Sequence, residues 1–287
     1  MRKFAVIDIG SNSVRLMFVA DGNVLYKTLN TTQLGEGLAH SPNLKEEAIE
    51  RTAQAVAAFF IKAKSEGAEQ TFVFATAAVR SAANRQQFLD RVNTLCGLSV
   101  EVLSGVEEAE TGIAGALGNA DGGIIDVGGA STEVIVREKG RIVYEKSVDI
   151  GVVRLRDLCG REEKCLTQRC VASVESFGEV PKTSKTYAIG GTATTLAALQ
   201  LGLKEYSSAL VTGLCLKRSD VERLAKELLA TPVAEIAKHP CIPQKRAEVI
   251  AGGAVLFCAL MDKLGLEEIF VSDSDNLEGF AKLRGLL

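Results

Sequence analysis

The stretch Asp8-Ile9-Gly10-Ser11-Asn12-Ser13 follows the apolar run 4–7, and Asp126-Val127-Gly128-Gly129-Ala130-Ser131-Thr132-Glu133 follows the similar run 123–125. Each is an Asp at the end of a strand-like segment, then an apolar residue, a Gly, and small or hydroxylated residues. An Asp in that place can hold a cation or a water. Glycine lets the backbone approach an anion closely, and successive N–H groups form an anion-binding nest. Ser and Thr add hydroxyl donors. A single strand with a Gly-rich turn is ordinary hairpin punctuation. Two copies, each leading a β-rich half, point instead to a duplicated domain gripping a phosphorylated ligand from both sides.

Composition supports such a chain. It has 287 residues, 47% hydrophobic and 24% charged, with a net charge of −3. That is enough chain for two ordinary domains. No global basic field recruits nucleic acid, so a polyanion must be held by local basic groups and loop amides. Met1-Arg2-Lys3-Phe4 runs straight into a strand-like segment that Asp8 cuts short, which is not the pattern of a signal peptide. No apolar run is long enough to span a membrane, and a cytoplasmic location is expected. Only two histidines and no tryptophan argue against His-based metal or triad chemistry, and the cysteines number seven. The odd cysteine count predicts reduced thiols, including the cluster Cys159, Cys165 and Cys170.

Outward from the two loops, residues 4–8, 13–20 and 24–29 read as a meander, with Asp21-Gly22-Asn23 as its hairpin turn. Asn43 is expected to cap a helix over 45–64, and Gly67 to stop it. A strand at 71–75, a helix at 84–95, a strand at 99–103 and a helix at 107–117 follow. The second half repeats the meander at 123–126, 133–137 and 141–149, turning at Glu138-Lys139-Gly140. A strand at 187–189 leads through Gly190-Gly191-Thr192 to a helix at 193–201. Helices at 219–229 and 245–264, a strand at 269–272 and a helix at 277–287 complete the pattern. The boundary is placed near 118–122. This gives a domain over 1–118, onto which the terminal helix 277–287 can pack back, and a second over 119–276.

Taken in order, the motifs resemble the exopolyphosphatase and guanosine pentaphosphate phosphohydrolase family of the actin, sugar kinase and heat-shock ATPase superfamily. They begin with the run 5–16 and Leu34-Gly35-Glu36-Gly37-Leu38. Ala75-Thr76-Ala77-Ala78-Val79-Arg80 and Ser104-Gly105-Val106-Glu107-Glu108-Ala109 follow. The run 126–133, Gly151-Val152-Val153-Arg154-Leu155, Ala188-Ile189-Gly190-Gly191-Thr192 and Val271-Ser272-Asp273 complete the set. The resemblance covers nearly the whole chain. It implies an α/β fold of two actin-like (ribonuclease H-like) domains, with mixed sheets flanked by helices and a cleft between them. It also implies Mg²⁺-dependent hydrolysis (other divalent cations being possible) of a terminal phosphoanhydride in polyphosphate or a guanosine penta- or tetraphosphate.

By the same resemblance Glu108 activates the attacking water, while Asp8, Asp126 and Glu133 anchor the cation, the last two counting as catalytic. Ser11, Asn12, Ser13, Gly128, Gly129, Ser131 and Thr132 cradle phosphates. Arg15, Arg80 and Arg154 are phosphate clamps, because guanidinium binds phosphate bidentately. Gly190, Gly191 and Thr192 form a third substrate loop. Without the resemblance, Glu107, Glu108 and Glu110 would read as a solvated acidic face. No nucleic-acid or membrane partner is expected, and the family permits a homodimer.

This chain departs from the family pattern in three places. Ala130 stands where a third glycine is usual, a change that φ < 0 would tolerate. Ser274-Asp275-Asn276-Leu277-Glu278-Gly279 lacks the usual glycine and arginine, and 249–252 lacks a proline. These changes bear on substrate identity rather than on fold. Two alternatives stay open: a polyphosphate–nucleoside diphosphate phosphotransferase, in which the same loops admit an acceptor phosphate in place of water, and, because the second-domain motifs have drifted, a non-catalytic polyphosphate or alarmone sensor.

Overall fold

A computed structural model describes residues 2–287, and the chain divides into two compact units. Among the described residues the first comprises 2–115 and 276–287, the second 116–275.

The first unit opens with β1 (Lys3–Ile9), β2 (Val14–Ala20) and β3 (Asn23–Asn30). Asp21 and Gly22 both take positive φ at the β2–β3 turn, as a tight hairpin of right-handed twist requires. Then come α1 (Glu46–Ser65), β4 (Gln70–Ala75), α2 (Ala77–Ser81), α3 (Arg85–Cys96), β5 (Glu101–Val102) and α4 (Gly105–Ala116). The sheet order is β3-β2-β1-β4-β5, antiparallel through the meander and parallel from β1 to β5. β1 is apolar on both faces because both are covered. Ala5, Ile7 and Ile9 enter the core beneath α1 and α3. Val6 enters a second core with Phe74, Leu277 and Phe280. The strand period of two puts Asp8 on the face of Val6.

Asn43 does not cap α1. Lys45 occupies that position without a side-chain bond, and the Asn43 amide is turned toward Ser41 Oγ at 3.1 Å. The helix is stabilised by its buried stripe instead. Asn84 also has other work, since its side chain exchanges bonds of 2.8 and 3.0 Å with the Leu44 backbone.

The second unit repeats the plan with β6 (Gly122–Val127), β7 (Thr132–Glu138) and β8 (Arg141–Val148). α5 (Val152–Cys159), α6 (Glu163–Val174), β9 (Thr186–Ile189), α7 (Gly190–Gln200), α8 (Ser208–Val211) and β10 (Cys215–Lys217) follow. α9 (Arg218–Ala230), α10 (Val233–Ile236), α11 (Ile250–Leu264) and β11 (Glu268–Val271) complete it. The sheet order β10-β11-β9-β6-β7-β8 reproduces that of the first unit, with β10 added. α12 (Asn276–Leu283) then returns to the first unit. It packs so closely on α4 that a side chain at Gly279 would overlap the Thr111 carbonyl.

Two helices begin elsewhere than the periodicity suggests. α7 starts at Gly190, so the third glycine pair is the first turn of a helix rather than a loop before it. α11 starts only at Ile250, after a 3₁₀ turn at Gln244–Arg246 that Pro243 introduces. Gly253 on α11 is needed for packing, because a Cβ there would lie 2.5 Å from Thr192 Cγ2.

The expectation of reduced thiols throughout is corrected by a disulfide between Cys159 and Cys165. Gly160 (φ +56°) ends α5, and Glu162 caps α6 by accepting the Lys164 and Cys165 amides. This tight turn brings the two Cα atoms to 5.5 Å, within bridging range. Cys170, by contrast, is buried in the core of the unit, where lack of solvent pushes its thiol up to about 12. Among the described residues no helix is long and apolar enough to cross a membrane.

Candidate active site

Each unit assembles its own set of the expected residues at the turn between its first two strands. In the first unit the Gly10 amide bonds the Ser13 carbonyl at 3.0 Å, closing the loop. The strap Leu34-Gly35-Glu36-Gly37-Leu38 holds this loop from outside. The Gln33 amide donates to the Asn12 carbonyl and that of Gly35 to the Ser11 carbonyl, both at 2.8 Å. A side chain at Gly35 would stand 3.0 Å from Ser11 Cβ, so glycine is what permits the approach. Ser11 and Ser13 are buried, and the Asn12 side-chain Nδ2 donates to Ser13 Oγ at 3.3 Å.

Asp8 lies opposite Arg15 on the β1–β2 ladder, and Arg15 Nε donates to Asp8 Oδ2 at 2.9 Å. Arg80 extends from α2. Its Nη1 donates to Glu108 Oε2 at 2.6 Å and to the Leu103 carbonyl at 3.0 Å. Glu108 is only 7% exposed. Burial raises its pKa above the usual carboxylate range, and nearby Asp8 adds to this, while Arg80 and Thr76 pull the other way.

The neighbouring Glu107 has a separate role. Its carboxylate accepts the Ser104 amide at 2.8 Å while its own amide donates to Ser104 Oγ. This reciprocal pair is a capping box at the start of α4, and the Ser104 bonds hold the Glu107 carboxyl below its ordinary range. Two adjacent acids thus leave the helix in different directions: one closes its end and the other enters the interior.

In the second unit the Gly128 amide bonds the Ser131 carbonyl at 3.0 Å, the same closure as Gly10 to Ser13. The first turn of α5 docks on this loop. The Val152 amide bonds the Gly128 carbonyl at 3.0 Å and the Val153 amide the Gly129 carbonyl at 2.8 Å. Gly151 permits that approach, since a Cβ there would lie 2.5 Å from the Gly129 carbonyl. Ala130 sits at negative φ, so the missing glycine costs no backbone strain. Thr132 Oγ1 bonds the Ile150 carbonyl at 2.5 Å, and Ser131 is buried. Arg154 bends back so that Nε bonds the Ala130 carbonyl at 2.8 Å.

Asp126 faces Glu133 across the β6–β7 ladder. Ser147 on β8 donates to Glu133 Oε1 at 2.6 Å. Gly190 takes φ +80°, and a Cβ there would meet Asp126 Oδ1 at 2.7 Å. Thr192 Oγ1 bonds the Val127 carbonyl at 3.1 Å, so the N-terminus of α7 stands beside β6. An eleven-residue helix presents unpaired N–H groups and a positive dipole end there, which suits an anion.

Arg246 and Ser147 were not singled out by the sequence reading. Arg246 Nη1 bonds the Gly191 carbonyl at 3.3 Å and Thr195 Oγ1 at 3.2 Å, and its guanidinium fills the space a side chain at Gly191 would need. Arg246 lies outside every motif that carries the resemblance, and only the fold sets it against the glycine pair.

The sequence profile of the Ppx/GppA phosphatase family matches residues 17–281. The chain is 28% identical to "Exopolyphosphatase 2" of Mycobacterium tuberculosis, over 98% of each protein. It is 27% identical to the "Guanosine-5'-triphosphate,3'-diphosphate pyrophosphatase" of Vibrio vulnificus over 97% of its own length, spanning 58% of that relative. The crystal structure of the Aquifex aeolicus member of the Ppx/GppA family superposes with a TM-score of 0.78 at 26% identity, covering 99% of this chain and 98% of that one. Two glycine-closed loops on two sheets of one strand order, matched over nearly their whole span by that profile, place this chain in the Ppx/GppA phosphatase family.

Proposed function

We propose that this protein hydrolyses the terminal phosphoanhydride of inorganic polyphosphate or of guanosine pentaphosphate and releases phosphate. The observation that carries this reading is Glu108, a buried carboxylate of raised pKa held by Arg80 on the unit that carries the first phosphate-type loop. A carboxylate kept out of water is a stronger base than a solvated one, and proton transfer from a positioned water is the one covalent task such a hydrolysis leaves to the protein. Likeness along the full length to a protein named exopolyphosphatase 2 supports polyphosphate as substrate. Likeness to the guanosine pyrophosphatase supports the nucleotide.

The donor set suits Mg²⁺ or another divalent cation. Asp126 and Glu133 offer hard carboxylate oxygens across one ladder step, and Mg²⁺ is held through one or two carboxylates together with substrate phosphates and water. Among the described residues no three His, Cys, Asp or Glu side chains gather into a metal-holding group, which fits a site completed by substrate and water. Asp8, on the first unit, offers a carboxylate of the same kind, with Oδ2 shared with Arg15. A bound cation would offset the charge on the phosphoryl oxygens.

The remaining work falls to the chain. Glu108 takes the proton of the attacking water. Arg80 holds that carboxylate and offers its remaining N–H groups to the terminal phosphate. In the first unit the amides and hydroxyls of Ser11–Ser13 cradle phosphate oxygens; in the second the amides of 128–132 and the Ser131 hydroxyl do so, Thr132 Oγ1 being committed to the Ile150 carbonyl. Within the second unit the α7 N-terminus at Gly190-Gly191-Thr192, with Arg246 and Arg154, offers further donors to a polyanion.

The test is phosphate release from long-chain polyphosphate and from guanosine pentaphosphate in parallel, with Mg²⁺, using Glu108→Gln as control. Release that the variant abolishes supports the reading, and the faster substrate names the activity. Formation of ATP from ADP and polyphosphate without phosphate release would replace it with phosphotransfer. Tight binding without turnover would replace it with a sensor.

A further inference from the structure

The two units place different chemistry in one slot of the same sheet. In the first, the ladder runs Asp8–Arg15–Leu29 across β1, β2 and β3. In the second it runs Asp126–Glu133–Ser147 across β6, β7 and β8. Corresponding residues are 118 positions apart in every case (8 to 126, 15 to 133, 29 to 147). The first acid therefore meets a guanidinium backed by an apolar side chain. The second meets another acid backed by a hydroxyl. Since residues opposite one another share a face of the sheet, Ser147 stands on the face of Asp126 and Glu133. Its hydroxyl donates to Glu133 Oε1 at 2.6 Å.

We propose that Ser147 is a positioning residue for divalent-cation binding, fixing the Glu133 carboxylate in the orientation that serves the cation. This rests on the reading of Asp126 and Glu133 as the cation-holding acids. Glu133 is 5% exposed, whereas Ser147 is an exposed residue on the edge strand β8. The register sets Ser147 beside Glu133, but it does not by itself turn the hydroxyl onto the carboxylate. The short hydroxyl–carboxylate bond does so, because an O–H···O⁻ bond is among the stronger neutral-to-ion contacts. It removes the rotation about the last side-chain bond that would otherwise be lost when a cation binds. Partners of this kind commonly alter metal affinity by about ten- to a hundred-fold when removed.

The experiment measures Mn²⁺ affinity directly, by electron paramagnetic resonance of free Mn²⁺, for the intact chain and for Ser147→Ala, Ser147→Thr, Glu133→Gln and Asp126→Asn. Circular dichroism and Tm establish that each variant is folded. The expected result is affinity weakened about ten-fold in Ser147→Ala, restored in Ser147→Thr, and weakened more in the two acid variants. The concentration of Mg²⁺ giving half-maximal phosphate release should move in parallel. Unchanged Mn²⁺ affinity in Ser147→Ala, with the acid variants weakened, overturns the role of Ser147 and leaves the cation site standing. Unchanged affinity in the acid variants overturns the site itself and the proposal with it. Equal loss in the alanine and threonine variants also overturns the proposal, because a hydroxyl at this position would then have no part.

Discussion

Arg80 donates to the Glu108 carboxylate at 2.6 Å from a neighbouring helix, and the same nitrogen also bonds the Leu103 carbonyl. The guanidinium is thus anchored to the backbone just before α4 while it holds the acid on that helix. Glu108→Gln keeps the shape and still accepts a hydrogen bond, but cannot take a proton. Phosphate release should fall by about 10²- to 10⁴-fold, as expected for loss of a general base, with unchanged circular dichroism. Residual release at the parent rate would remove Glu108 from the mechanism.

The same acid sets a pH dependence. Its folded pKa is raised above that of an unfolded glutamate, so the folded state binds the proton more tightly. Stability tied to this group is present at low pH and is lost as pH rises from the ordinary carboxylate range through the raised folded value. Activity moves the opposite way, since the base must be ionised. The acid limb of kcat/KM against pH should therefore lie above the usual carboxylate range. Glu108→Gln should also flatten the loss of Tm between acid and neutral pH. A limb at ordinary carboxylate pH would contradict the burial.

Arg80→Ala leaves Glu108 buried without the guanidinium. Arg80 is itself about a quarter exposed, so the expected stability loss is about 1–3 kcal/mol, the usual cost of removing a hydrogen bond to a charged group. Thermal unfolding measures it. Arg80→Lys should recover part of the stability but less of the activity, because a single ammonium engaged with Glu108 and Leu103 leaves no further nitrogens to offer the terminal phosphate.

Gly190→Ala tests the contact between α7 and Asp126. A Cβ there would face Asp126 Oδ1 at 2.7 Å from a backbone at φ +80°. The strain alone is about 1–2 kcal/mol, and the carboxylate must also move. Both Tm and kcat/KM should fall. Gly202→Ala, at similar φ with open space around it, should lower Tm but spare kcat/KM. Equal effects on activity at the two sites would break the link to the acid.

The Cys159–Cys165 bridge closes a short loop between α5, whose first turn docks on the Gly129 loop, and α6. Arg161 inside that loop bonds the Leu229 and Thr231 carbonyls at the end of α9. Reduction should lower stability by about 2 kcal/mol on the loop-entropy account, and mass spectrometry of the non-reduced chain should find the pair linked. Cys170 should resist alkylation in the folded protein, since it is buried with its thiol pushed up.

Some of this was legible in the sequence. Apolar period and turn residues located the meanders, because Asp21-Gly22 and Lys139-Gly140 need positive φ that few other pairs adopt. The loop residues 10–13 and 128–131 were recognisable for the same local reason. Helix starts were less so. Asn43 had the right residue type for a cap, but the capping geometry arose at Lys45. Gly190 looked like a loop residue, yet it begins a helix because its neighbours pack against β6.

What the sequence alone determined was the two meanders, most of the longer helices and the two Asp-Gly loops, carried by short-range rules of period and turn, while the acidic and basic site residues were marked by the family resemblance and the helices at 152–174 were not marked at all. What the tertiary structure decided was which of these groups meet. Glu107 became a cap and Glu108 a buried acid one residue later. Asp8 drew an arginine and Asp126 a second acid from the same ladder slot. Arg246 came to Gly191 across 55 residues, and two cysteines six apart came within bonding range. Such pairings depend on strand register and helix packing, which join residues distant in the chain, and no local pattern encodes the partner.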